Sequence, residues 1–167
     1  MNIPTAKIRE LREQSGAGVI SCRNALIEAC GDMEKAQQIL KEKGILKAQD
    51  KSERSTTCGV IETYVHTGGR IGAMIEVNCE TDFVARTAEF KELAHNLVMQ
   101  VAAMPPKFIS DDEIKDEADV EPQADCLLLQ PFIRDPGRTI RDIIVETIAK
   151  LGENIKVARF ARFELGR

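Results

Sequence analysis

Cys79 and Glu80 stand side by side in the stretch Asn78 to Arg86, and a thiol next to a carboxylate is raw material for a nucleophilic site. The surrounding pattern argues against that use. Ile71, Ala73, Ile75, Val77 and Cys79 fall at every second position, which is the signature of a half-buried strand with Cys79 on its inner face. Asp82-Phe83 offers recognition instead, because an acid and an aromatic on a held turn can dock on a partner. The pattern alone favours a plainer reading, with Phe83 in the core and Asp82 as a charge at the positive end of a helix. Phe83 lies one heptad before Phe90, but Arg86 and Thr87 interrupt that stripe, so it does not clearly run back to Phe83.

Other reactive residues assemble into nothing. His66 ends a strand pattern, His95 sits off an apolar helix stripe, and neither has Cys, Asp or Glu at a metal-ligand spacing. Gly68-Gly69-Arg70-Ile71-Gly72 lacks the Lys-Ser/Thr pair of a phosphate loop. No metal site, cofactor or catalytic residue is therefore expected, and the chain reads as a non-enzyme. The cysteines are five, Cys22, Cys30, Cys58, Cys79 and Cys126, an odd number without a CxxC, as expected of reduced thiols in a cytoplasmic protein. A net charge of -4 with no basic face argues against direct nucleic-acid binding. No apolar run approaches a membrane span, and Met1-Asn2-Ile3-Pro4 leads straight into a polar helix pattern, so neither membrane nor secretion signal is expected.

These residues need elements to hold them. Thr5 is the expected cap of a first helix with Ile8 and Leu11 inward, ended at Ser15-Gly16-Ala17-Gly18. Val19 and Ile20 read as an apolar pair in the connection, and Ser21 as the cap of a second helix stopped by Gly31. Asp32 caps a third, expected to end at Lys43-Gly44. Ile45 to Thr57 has no sustained apolar period after Leu46 and reads as a linker, with helix at its start as an alternative. A strand from Gly59 to His66 and the one from Ile71 meet at a Gly68-Gly69 hairpin turn. Thr81 and Thr87 both suit a helix cap, so the next helix starts at one or the other, and Pro105-Pro106 follows its end.

Further on, Ser110 to Glu113 has capping-box form and opens an acidic segment to Glu121, read as surface and not a metal site. Leu127 to Ile133 reads as an extended piece over the core, and Arg134-Asp135-Pro136-Gly137 as a turn. Thr139 caps a helix with Asp142 at its third position, and Gly152 stops it. The last strand places Ile155, Val157, Ala161, Phe163 and Leu165 on one face, with Arg159 interrupting. The expected fold is α+β. An N-terminal three-helix UBA-like bundle, of the ubiquitin-associated type, occupies residues 1–44 and a linker residues 45–57. An α+β core fills residues 58–167, an antiparallel three-stranded sheet with helices packed on one side.

Two long stretches carry a resemblance. Leu11 to Leu26, with Arg12-Glu13-Gln14-Ser15-Gly16-Ala17-Gly18-Val19-Ile20 at its centre, resembles the N-terminal signature of bacterial elongation factor Ts. Glu76 to Arg86 resembles that family's second signature, and Gln130-Pro131-Phe132 and Gly152-Glu153-Asn154-Ile155 match further landmarks. The resemblance spans nearly the whole chain. It implies a guanine-nucleotide exchange factor for elongation factor Tu, in which the turn Thr81, Asp82, Phe83, Val84 enters the GTPase, dislodges Mg²⁺ and weakens GDP. It implies bundle contacts through Arg12, Val19 and Ile20 and makes the core a dimerisation-type domain. Val19-Ile20 departs from the family's common Met-Met, and the Glu-Gly-Arg signature near Pro122 to Asp125 is missing. The core occurs once where long members carry two, which implies a homodimer through the exposed sheet. The alternative is a module that binds the same GTPase without exchange.

Overall fold

Three helices lead the chain: α1 (Thr5–Ser15), α2 (Val19–Glu28) and α3 (Met33–Lys51). They are seen in a computed structural model that describes residues 3–114 and 119–166. Two caps differ from expectation. Pro4 takes the N-cap of α1, leaving Thr5 inside, and Gly18 takes that of α2, so Val19 and Ile20 form its first turn and Ser21 lies within it. Gly16 ends α1 at φ 66°, a left-handed backbone that glycine adopts without strain. Asp32 does cap α3, accepting the Lys35 amide at 3.1 Å. The helices share a small core of Leu11, Cys22, Ala25, Leu26, Ala29 and Ala36.

The hairpin follows as β1 (Cys58–Val65) and β2 (Ile71–Cys79), antiparallel, with Ile71 to Cys79 alternating inward as the pattern requires. Gly59 admits no side chain, since a Cβ there would fall 2.2 Å from the Val77 carbonyl oxygen. Both threonine caps are used. Thr81 starts the one-turn helix α4 (Asp82–Ala85), and Thr87 starts α5 (Ala88–Ala103), its hydroxyl accepting the Phe90 amide at 3.3 Å. α5 lies along the inner face of the sheet and buries Phe90, Leu93, Ala94, Leu97, Val98 and Val101.

The expected capping box at Ser110 does not form. Ser110 makes no capping bond, Glu113 accepts the Ile109 amide at 3.1 Å, and Asp111–Glu113 is a single 3₁₀ turn. Part of the acidic segment, residues 115–118, lies outside the described residues. After α6 (Pro122–Asp125), Leu127–Leu129 is a second 3₁₀ turn, and β3 (Pro131–Phe132) pairs antiparallel with β4 (Asp135–Thr139). The expected turn at Asp135-Pro136-Gly137 is thus strand, in a two-stranded sheet that the sequence reading lacks. It is held from below by two buried glutamines. Gln100 donates to Gln130 Oε1 at 3.0 Å and accepts the Ile133 amide at 2.9 Å, while Gln130 donates to the Met104 and Ala124 carbonyls. Such groups stay inside only when paired.

α7 (Ile140–Leu151) opens on the expected capping box between Thr139 and Asp142 and ends at Gly152 with φ 82°. Burial would raise the Asp142 carboxyl, but hydrogen bonds from Thr139 and the nearby Lys41 charge outweigh it and hold the pKa below its ordinary value. β5 (Ile155–Glu164) completes a three-stranded antiparallel sheet in the order β1-β2-β5. Its expected face holds through Ile155 and Val157 and is overturned beyond them. A bulge lets Val77 pair Val157 while Glu76 pairs Arg159, so Ala158 is left over and the alternation flips. Phe160 then points inward, while Phe163 at 70% and Leu165 at 66% are exposed.

The third helix is the other correction. α3 runs through Gly44 to Lys51, so residues 45–51 of the expected linker are helix. The residues that bury this end are small, Gly44 and Ala48, and so leave no stripe of large apolar side chains to read. α3 packs alongside α7, with Lys41 beside Asp142 at 3.5 Å and Lys51 Nζ on the Gly152 carbonyl at 2.6 Å. A Cβ on Gly44 would meet Ala149 at an ordinary 3.6 Å. Gly44→Ala should therefore stabilise the protein, by about 0.5–1 kcal/mol from helix propensity, read as a raised urea midpoint at unchanged m.

Candidate functional site

The turn between β2 and α5 is built so that its two halves face opposite ways. Thr81 is the N-cap of α4, its hydroxyl accepting the Val84 amide at 3.4 Å, and Ala85 is buried while Val84 packs against the main core. Asp82 and Phe83 face out. Phe83 is 80% exposed, and Asp82 meets Arg86 in its own turn, at 2.9 Å. The reading of Phe83 as core is thus overturned. α4 is one turn long and Thr87 restarts the helix, so Phe83 is not on the stripe of Phe90. Of the four residues expected to act together, two anchor the turn and two are displayed.

The anchor reaches across the chain. Glu153 accepts the Thr81 amide at 3.0 Å and the Thr81 hydroxyl at 2.6 Å. Glu80 in turn accepts the Asn154 amide at 2.7 Å and lies 3.5 Å from Arg54. Asn154, buried, donates to the Ser52 and Arg54 carbonyls at 3.3 and 2.9 Å. The residues that position the turn escaped sequence reasoning, which noted Glu153 and Asn154 only as family landmarks. They lie 72 positions or more from Thr81 and Glu80, so no local spacing could flag them.

The second expected group is also displayed. Arg12 is exposed on α1, and Val19 and Ile20 stand 52% and 75% exposed in the first turn of α2. The two histidines flank one tyrosine. Tyr64 Oη lies 3.0 Å from His66 Nδ1, and its ring packs edge-on to His95, which reaches Glu62 at 3.2 Å. Among the described residues no group of three or more His, Cys, Asp or Glu is arranged to hold a metal ion, and no helix is long and apolar enough to cross a membrane.

Residues 32–123 match the family described as Elongation factor TS, which puts the chain in the class of translation elongation factors. The chain is 45% identical over 194 residues to "Elongation factor Ts" of Caldanaerobacter subterraneus subsp. tengcongensis, covering 98% of this chain and 97% of the relative. It is 43% identical to that of Carboxydothermus hydrogenoformans, over 98% of this chain and 89% of the relative. With that of Rippkaea orientalis it shares 45% identity, over 98% of this chain and 78% of the relative. The chain belongs to the elongation factor Ts family. The first alignment, at 194 residues, is longer than this chain of 167, so that relative carries residues with no counterpart here.

Cys79, the thiol beside the turn, is structural. It is buried and donates to the Thr81 carbonyl at 3.1 Å, and burial, with the Glu153 charge next in weight, pushes its pKa up to about 11. It should therefore resist iodoacetamide at pH 8 while exposed Cys30 reacts, as peptide mapping by mass spectrometry would read. Unfolding frees the thiol to ionise near its ordinary 9.0, so its contribution to stability is full below that pH and lost as pH rises toward about 11.

Proposed function

We propose that this chain is a guanine-nucleotide exchange factor for elongation factor Tu, acting in the cytoplasm during translation elongation. It binds the GDP form, inserts the Thr81-Asp82-Phe83-Val84 turn near the nucleotide and Mg²⁺, dislodges the ion and promotes GDP release so that GTP can bind. The observation that carries this reading is Phe83, 80% exposed on a turn that Thr81 and Val84 tie down. Leaving a Phe in water forgoes roughly 2 kcal/mol of burial, which a partner can recover. Exchange needs tighter binding to the nucleotide-free GTPase than to its GDP form, and by linkage GDP then weakens the factor equally. A preorganised convex turn suits that task because it loses little entropy on insertion. Arg12, Val19 and Ile20 on the bundle would supply a second contact, whose affinity does not depend on the ion.

The test is stopped-flow release of fluorescent GDP from elongation factor Tu at several Mg²⁺ concentrations. Acceleration should be strong and should shrink when external Mg²⁺ is already depleted. Phe83→Ala should keep the unfolding free energy within about 0.5 kcal/mol, as surface changes do, yet lose at least about tenfold in exchange rate. Binding without acceleration by the unaltered chain would instead make it a holding module.

The same reading includes a homodimer. The sheet face away from α5 displays Ile61, Val65, Met74 and Phe163, with Leu165 just beyond, at 61%, 68%, 44%, 70% and 66% exposure. A second copy is the natural cover for such an apolar sheet face, as two sheets pack face to face. Two chains would then serve two GTPases. Phe163→Glu should halve the mass seen by light scattering while leaving the far-ultraviolet spectrum unchanged, and a monomeric unaltered chain would end the dimer reading.

A further inference from the structure

We propose that Glu153 is the positioning residue of the Thr81–Val84 turn, the group that aims Asp82 and Phe83 without touching the partner itself. The proposal rests on the exchange reading above and names what makes the turn stiff. The β2–β5 ladder ends at the pair Cys79 and Ile155. Beyond that pair the backbones no longer bond to each other, and two carboxylates take over in a reciprocal exchange. Glu80 accepts the amide of the residue after Glu153, at 2.7 Å, and Glu153 accepts the amide of the residue after Glu80, at 3.0 Å. The two bonds extend the strand pairing by one step, and charged acceptors make them stronger than neutral ones.

Glu153 does more than close the ladder. Its second oxygen accepts a hydrogen bond from the Thr81 hydroxyl at 2.6 Å, which turns the lone pairs of that hydroxyl toward the Val84 amide it caps at 3.4 Å. The rotor of the capping side chain is thereby set from the connection between α7 and β5, and with it the direction in which the one turn of α4 leaves the sheet. A helix this short has almost no intrinsic stability and depends on such an external hold. Glu153 itself is half-buried and flanked by Gly152, so it is not among the displayed residues. Supporting groups of this kind govern how well a displayed site is preorganised.

The experiment compares the unaltered chain, Glu153→Ala, Glu153→Gln and Phe83→Ala in catalysed release of fluorescent GDP from elongation factor Tu. Amide hydrogen exchange at Thr81 and Val84 is measured on the same proteins by NMR. Glu153→Ala should lower kcat by at least about tenfold with KM changed less than about threefold, since the bundle still binds while the turn is misaimed. Its Thr81 and Val84 amides should exchange faster. Glu153→Gln should fall between Glu153→Ala and the unaltered chain, because a carboxamide keeps an oxygen for the Thr81 amide but turns an N–H toward the hydroxyl whose hydrogen bond Glu153 accepts. If Glu153→Ala does not fold at the assay temperature, Glu153→Asp, too short to reach both donors, is held to the same criteria. A folded variant with unaltered kcat and unaltered Thr81 protection, beside an inactive Phe83→Ala, overturns the role of Glu153 and leaves the exchange reading standing. If the unaltered chain does not accelerate release the exchange reading fails, and if Phe83→Ala is fully active the role of Phe83 fails; in either case Thr81 protection alone then decides for or against Glu153.

Discussion

The hold of Glu153 and Glu80 on each other's neighbours joins two parts of the chain that lie more than seventy positions apart. It fixes the end of the central strand to the start of the last one, at the point where backbone pairing stops. Asn154 carries the hold further, fastening the Ser52 and Arg54 carbonyls at the end of α3. The exit of α3, the exit of β2 and the entrance of β5 are therefore one knot. Everything displayed at Asp82 and Phe83 is displayed relative to that knot. A surface loop held by its own side chains alone would lose far more entropy on meeting a partner.

The same economy appears in how the helices reach the sheet. α5 lies on the inner face, α7 packs on α5, and α3 packs on α7 through Gly44 and Ala48. Small residues let α3 come close, so the N-terminal helices are carried on a helix that enters the main core at Ala48. Arg12, Val19 and Ile20 are thus borne on the same framework as the turn, not on a tether. The buried Gln100–Gln130 pair plays a matching part at the other end, tying α5 to the two-stranded sheet with every polar group satisfied.

Much of this was legible in the residues. Period-two alternation located β2 through Cys79, period-3.6 spacing located α5 and α7, and the Thr139-Asp142 box and Gly152 bounded α7 correctly. Two threonines both read as caps, and both are caps, because the segment between them is a helix of its own. Two of the failures share a cause: they occur where a distant partner decides. Gly44 reads as a stop in isolation and becomes a contact only when Ala149 lies opposite. Arg159 in an apolar alternation was the trace of a bulge, but which residue bulges depends on the register against Glu76 and Val77.

By itself the sequence determined a good part of the local structure, namely the hairpin strands, α5 and α7 with their caps at Thr87 and Thr139 and the stop at Gly152, and that Asp82-Phe83 lies at a strand-to-helix junction. Those follow from side-chain shape and backbone propensity within a few residues. Tertiary structure alone decided that Phe83 faces water, that β5 turns Phe163 outward, and that Glu153 holds Thr81. Exposure and long-range hydrogen bonds are properties of surfaces brought together. A carboxylate 72 positions away has no local signature until the chain has folded around it.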